Sequence, residues 1–140
     1  MMNIISIRIV TADVNSLVTF YEKITGLSAI QYTPDFAELK TELATLAIGS
    51  TNTLKFFGGH EVAKAAQNRS AIIEFKSLNV DEDYERLRDF IQPYLVQEPT
   101  IMPWGNKSLL LRDPDGNLIN FFTPVIQEAI KKFDGAKFNR

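Results

Sequence analysis

The chain holds one histidine, His60, and no cysteine. Disulfides, thiolate metal sites and cysteine nucleophiles are thereby excluded, and so is any site that needs two imidazoles. His60 follows Gly58-Gly59 in a polar, alanine-rich stretch, where an imidazole reads as a partly solvated loop residue rather than a ligand or general base. No serine has a histidine on a plausible partnering strand, and no glycine-rich phosphate loop occurs. The side chains left to do chemistry are Arg8, Glu74, Trp104, Asn120 and Phe122. Arg8 offers a planar donor fork that suits a carboxylate or carbonyl. Glu74 could serve as an acid–base group or as a polar anchor. Trp104, held between Pro103 and Gly105, is either a stacking wall for a flat ligand or a plug at one end of the core.

These residues stand on recognisable elements. Ile5, Ile7 and Ile9 alternate with Ser6, Arg8 and Val10, which predicts a strand with one apolar face. Asp13 is a helix N-cap, Leu17, Phe20, Tyr21 and Ile24 follow at helical spacing, and Gly26 supplies the stop. Strands are predicted over Leu27 to Thr33 and Phe36 to Lys40, with a short apolar run over Leu43 to Ile48. The order then recurs: Ile72 to Ser77 is a strand, Asn79 a cap, and Tyr84, Leu87, Phe90 and Ile91 a helix ended by Pro93. Ser108 to Arg112 and Leu118 to Phe122 flank the turn Asp113-Pro114-Asp115-Gly116-Asn117. One constant offset lays Ser6 on Ile72, Arg8 on Glu74, Asp13 on Asn79 and Val14 on Val80.

The reading is an α+β chain of two βαβββ modules, about 1–50 and about 70–124, in a single domain spanning 1–140. A bridge over 51–69 joins them, and a C-terminal helix over about 125–134 opens at Pro124. Strand alternation turns Ser6, Arg8 and Val10 to one face, together with Ile72, Glu74, Lys76, Leu118, Asn120 and Phe122. This mixed face is expected to line a cleft. The apolar set Ile5, Ile7, Ile9, Ile73 and Phe75 is expected to pack under the helices. As repeat equivalents, Arg8 and Glu74 are expected to approach each other, either to recognise a ligand or as an ion pair that only satisfies itself.

Hydrophobic residues make up 45% of the chain and charged residues 23%, with a net charge of −2. That balance shows no basic footprint for nucleic acid, and no apolar run approaches the roughly 20 residues of a membrane span. The opening residues lack a basic n-region and a small-residue cleavage site, so a cytoplasmic location is expected.

Two signatures carry a resemblance to a known family. The first is the opening strand followed by Asp13 and Phe20-Tyr21-Glu22-Lys23-Ile24-Thr25-Gly26-Leu27. The second is Arg112-Asp113-Pro114-Asp115-Gly116-Asn117-Leu118-Ile119-Asn120-Phe121-Phe122. The chain resembles the vicinal oxygen chelate superfamily, which comprises glyoxalases, bleomycin-resistance proteins and dioxygenases. Pro103-Trp104-Gly105-Asn106 is similar to the bleomycin-resistance branch in particular. The resemblance implies paired βαβββ modules with curved sheets around a cleft. In catalytic members, His, Glu or Gln ligands at equivalent points of both modules hold a divalent metal. Those positions correspond here to Ser6, Ile72 and Asn120, and to a residue near Ala47. Neutral oxygens and aliphatic groups do not make a divalent-cation site, so no metal and no cofactor are expected. The function expected is metal-free binding of a small organic ligand, with Arg8, Glu74, Trp104, Asn120 and Phe122 as contacts. The rivals are an enzyme of the superfamily acting through Arg8 and Glu74 or another metal site, and a dimeric interaction module with an empty cleft. The resemblance also implies a homodimer, with Phe133 expected near the contact.

Overall fold

Asp13 and Asn79 begin two helices of the same length. The Asp13 carboxylate accepts from the Ser16 amide at 3.0 Å, and Asn79 Oδ1 accepts from the Glu82 amide at 3.2 Å. In the computed structural model, which describes residues 1–138, these caps open α1 (Val14–Thr25) and α2 (Val80–Ile91). Helix α1 ends at Gly26, which takes the left-handed conformation and donates back to the Glu22 carbonyl. Around α1 stand β1 (Ser6–Thr11), β2 (Ile30–Thr33), β3 (Phe36–Lys40) and β4 (Thr45–Ser50). Around α2 stand β5 (Ile72–Lys76), β6 (Leu95–Ile101), β7 (Asn106–Arg112) and β8 (Leu118–Pro124), followed by α3 (Gln127–Phe138). The fold is α+β with two βαβββ modules, each with a four-stranded sheet, in the orders β1-β4-β3-β2 and β5-β8-β7-β6.

In each sheet the first strand pairs in parallel with the last, while the hairpins are antiparallel. Ser6 pairs with Thr45 and Arg8 with Ala47 in the first sheet, and Ile72 with Leu118 and Glu74 with Asn120 in the second. By register, Ala47 is therefore the first-module equivalent of Asn120. Strand β6 did not register as a strand in the sequence because Pro99 interrupts it; it lies at a sheet edge, where proline is tolerated, and its pairing with β7 slips in register.

The first core forms where α1 crosses β3 and β4: Leu17, Phe20, Tyr21 and Ile24 are buried with Ala37, Leu39, Leu46 and Ile48. That placement corrects one expectation. Ile5 and Ile7 remain 72% and 63% exposed, because β1 is an edge strand and α1 covers its neighbours instead. In the second module Val80, Tyr84, Leu87 and Ile91 cover Leu109, Leu111 and Ile119, while Phe75 meets Phe121 edge-on at 5.5 Å.

The turn Asp113–Asn117 clusters with the first unit, Met1–Arg69, although it joins two strands of the second. The Asp113 carboxylate accepts from Tyr21 Oη at 2.8 Å, Asn117 Nδ2 at 2.8 Å, and the amides of Asp115 and Asn117, both at 2.9 Å. Burial and the adjoining Asp113 carboxylate hold the Tyr21 phenol far above its usual pKa.

The C-terminal helix starts later than the sequence suggested. Pro124 closes β8 opposite Asn106, and the amides of Val125 and Ile126 both donate to the Gly105 carbonyl, which delays helix entry to Gln127. Phe133 lies 5.0 Å from the Phe122 ring, in contact with its own module. Gly105 has φ +93°, and a Cβ there would sit 2.0 Å from Ile126 Cγ1. Among the described residues no helix is long and apolar enough to cross a membrane.

Two stability predictions arise. Tyr21→Phe is expected to cost about 1.5–3 kcal/mol in chemical denaturation, because Asp113 stays buried with one donor fewer. A phenol pKa raised on folding contributes stability that is complete below the unfolded value, about 10, and is lost as pH climbs beyond it. Wild type should therefore lose stability above that pH more steeply than the Phe variant in parallel melts. Gly105→Ala combines a left-handed backbone with a clash on Ile126 and should lower stability by about 1–3 kcal/mol in the same assay.

Candidate functional site

In the first unit the mixed face is organised around Arg8. Its stem crosses β4 at Gly49, where a Cβ would stand 3.4 Å from Arg8 Cδ. Gly49 is the register partner of Phe36, and the Arg8 guanidinium carbon lies 4.4 Å from the Phe36 ring centroid. A second ring, Phe57, comes within 5.0 Å from the 3-10 turn at the start of the bridge. Both distances fall in the cation–π range. Glu38 shares this face through its register with Ala47, but its carboxylate already accepts from Tyr32 Oη at 3.0 Å and lies 3.8 Å from Lys40 Nζ. Neither Phe36 nor Phe57 was singled out from the sequence. The readable signal for Phe36 was alternation, since Phe36, Glu38 and Lys40 face opposite to the buried Ala37 and Leu39.

In the second unit Glu74 and Asn120 come together across β5 and β8. Asn120 Nδ2 donates to Glu74 Oε2 at 2.9 Å. Asn120 is only 9% exposed, and its Oδ1 is buried with no hydrogen-bond partner. An amide oxygen in that state is a costly feature unless something donates to it. Glu74 itself is exposed. Phe122 lies on the same face, in register with Lys76 and Ser108, and is buried beneath Phe133. Trp104 occupies the tip of the β6–β7 hairpin, closed by the Gly105 amide on the Met102 carbonyl at 2.9 Å. It is 64% exposed, so it plugs no core. His60 is likewise exposed in its loop.

The positions that the resemblance assigns to metal ligands do not fit a divalent cation. Ser6 brings a neutral hydroxyl, Ile72 and Ala47 bring none, and Asn120 is engaged with Glu74. Among the described residues no three His, Asp or Glu side chains are disposed to hold a metal ion.

Solved structures similar to this chain share its fold. A glyoxalase/bleomycin resistance protein/dioxygenase from Nocardioides matches at 22% identity and TM-score 0.73, covering 91% of this chain and 86% of its own. A family enzyme of the same description from Burkholderia phytofirmans PsJN matches at 16% identity and TM-score 0.74, covering 86% of this chain and 97% of its own. A lactoylglutathione lyase from Agrobacterium tumefaciens matches at 17% identity and TM-score 0.66, covering 86% of this chain and 92% of its own. At such identities the likeness concerns fold alone. Among curated proteins no sequence matches. The model of the Glyoxalase/Bleomycin resistance protein/Dioxygenase superfamily matches residues 3–121, nearly the whole of both modules. The chain belongs to that superfamily.

Proposed function

We propose that this protein binds a small organic molecule without a divalent metal, in the manner of the bleomycin-resistance branch. The observation that carries the reading is the Glu74–Asn120 pair. Where the family pattern asks for an anionic metal ligand, the chain sets a neutral amide, bonds it to a neighbouring carboxylate and leaves its buried oxygen unsatisfied. Such a pair presents acceptors to a ligand that carries N–H or O–H donors. In the same unit the exposed Trp104 offers a π face, and in the first unit Arg8 offers donors of its own. The protein is further proposed to self-associate as a homodimer. The support is the edge strand β1, whose exposed Ile7, with Ile5 just before it, is a liability unless covered.

Elemental analysis of untagged protein should find no stoichiometric metal; one that a chelator strips off would overturn the metal-free reading. Trp104 emission provides the screen for organic ligands. For a ligand so found, Glu74→Gln and Trp104→Ala should each weaken binding about tenfold. Their melting temperatures should stay near wild type, since both side chains are exposed, and His60→Ala should change nothing. A ligand indifferent to both substitutions would refute the site. Sedimentation at about 50 micromolar should give a dimer, well above the dissociation constants of stable pairs, about nanomolar to micromolar; a monomer would contradict self-association.

A further inference from the structure

We infer that Arg8, clasped by Phe36 and Phe57, is a preformed receptor for the carboxylate of a small organic acid. This deepens the binding reading above and rests on it. Arg8 is on an exposed stretch of β1, yet its guanidinium is 4.4 Å from one ring and 5.0 Å from another, so its position is set by aromatic contact. Aromatic rings offer a guanidinium no oxygen acceptors, so these contacts leave its N–H donors, which lie in the plane of the group, unspent. Among the described residues Arg8 makes no ion pair, and the carboxylate that shares its sheet face, Glu38, is taken by Tyr32 and Lys40.

Two backbone features adjoin this one side chain. The Arg8 stem lies across β4 at Gly49, where a Cβ would stand at ordinary contact distance, 3.4 Å from Cδ and 3.7 Å from Nη1. Phe57 is delivered by the turn that follows β4, its amide fixed on the Leu54 carbonyl at 2.9 Å. An arginine that only covered sheet surface would not need two rings on its guanidinium. The in-plane fork matches the two oxygens of a carboxylate, and holding the cation in place beforehand removes much of the ordering cost of binding.

The test uses the full chain labelled with nitrogen-15, with benzoate as probe, benzamide as its neutral counterpart and inorganic phosphate as a non-planar oxyanion. Benzoate should shift the Arg8 Nε–H resonance in a saturable way, and benzamide should not. Arg8→Gln should abolish the response. Arg8→Lys, which keeps charge without the fork, should weaken binding about tenfold. Phe36→Leu and Phe57→Leu should each weaken it with little change in melting temperature for the exposed Phe57. Equal binding of benzamide, or undiminished benzoate binding by Arg8→Gln, overturns the inference; phosphate binding as tightly as benzoate overturns the planar-carboxylate assignment. If benzoate fails while a Trp104-detected ligand still depends on Glu74, this inference fails and the binding reading stands. If benzoate binds through Arg8 and no ligand depends on Glu74 or Trp104, the receptor stands and the second-module site fails.

Discussion

The parallel pairing of the first strand of each module with the last is the constraint on which the rest of this structure hangs. Hydrogen bonds between β1 and β4, and between β5 and β8, fix within each sheet a register in which every second residue of the paired strands shares a face. A slip of one residue in β4 or β8 would turn Ile48 or Ile119 out of its core. Burial on the helix side therefore holds the polar side in place: Leu39, Ile48, Leu109 and Ile119 are buried completely, and each fixes the neighbours on its strand. The polar face inherits its precision from the apolar one.

Much of this organisation could be read from residue types alone. Asp13 and Asn79 announce both helices because a side-chain acceptor must meet free amides at a helix start, a need satisfied within three residues. The Glu74–Asn120 contact was half legible, since alternation put both on one face but only the parallel register made them neighbours. Arg8 was visible as a donor, whereas its rings were not: Phe36 reaches it across an intervening strand and Phe57 from the bridge. Contacts of that kind depend on loop path, which local pattern does not encode. The exposed Ile5 and Ile7 mislead for a related reason, because alternation tells which face a residue occupies but not how far a helix extends over it.

The two modules also show how one backbone plan can be given different chemistry. Equivalent positions hold Arg8 and Glu74, Ala47 and Asn120, so the first sheet presents a cation beside small residues and the second an anion beside an amide. Each charge has been treated according to its nature. The diffuse guanidinium lies within cation–π distance of aromatic rings, which a carboxylate could not use, while the carboxylate takes a hydrogen-bond donor. The family likeness to solved glyoxalase and bleomycin-resistance structures concerns the plan, while the side chains on these positions are this chain's own.

The placement of the Asp113–Asn117 turn has a consequence for how the chain is made. The first unit is assembled from Met1–Arg69 and that turn, with the whole stretch Ser70–Arg112 intervening. During synthesis, α1 and its sheet leave the ribosome long before Asp113 exists, and through that interval the Tyr21 hydroxyl, which the finished fold buries, has no carboxylate to meet. Domains usually complete themselves in the order they are translated. Here the earlier unit receives its last piece only when the later one is translated. Reversing the modules in the gene would reverse which half waits.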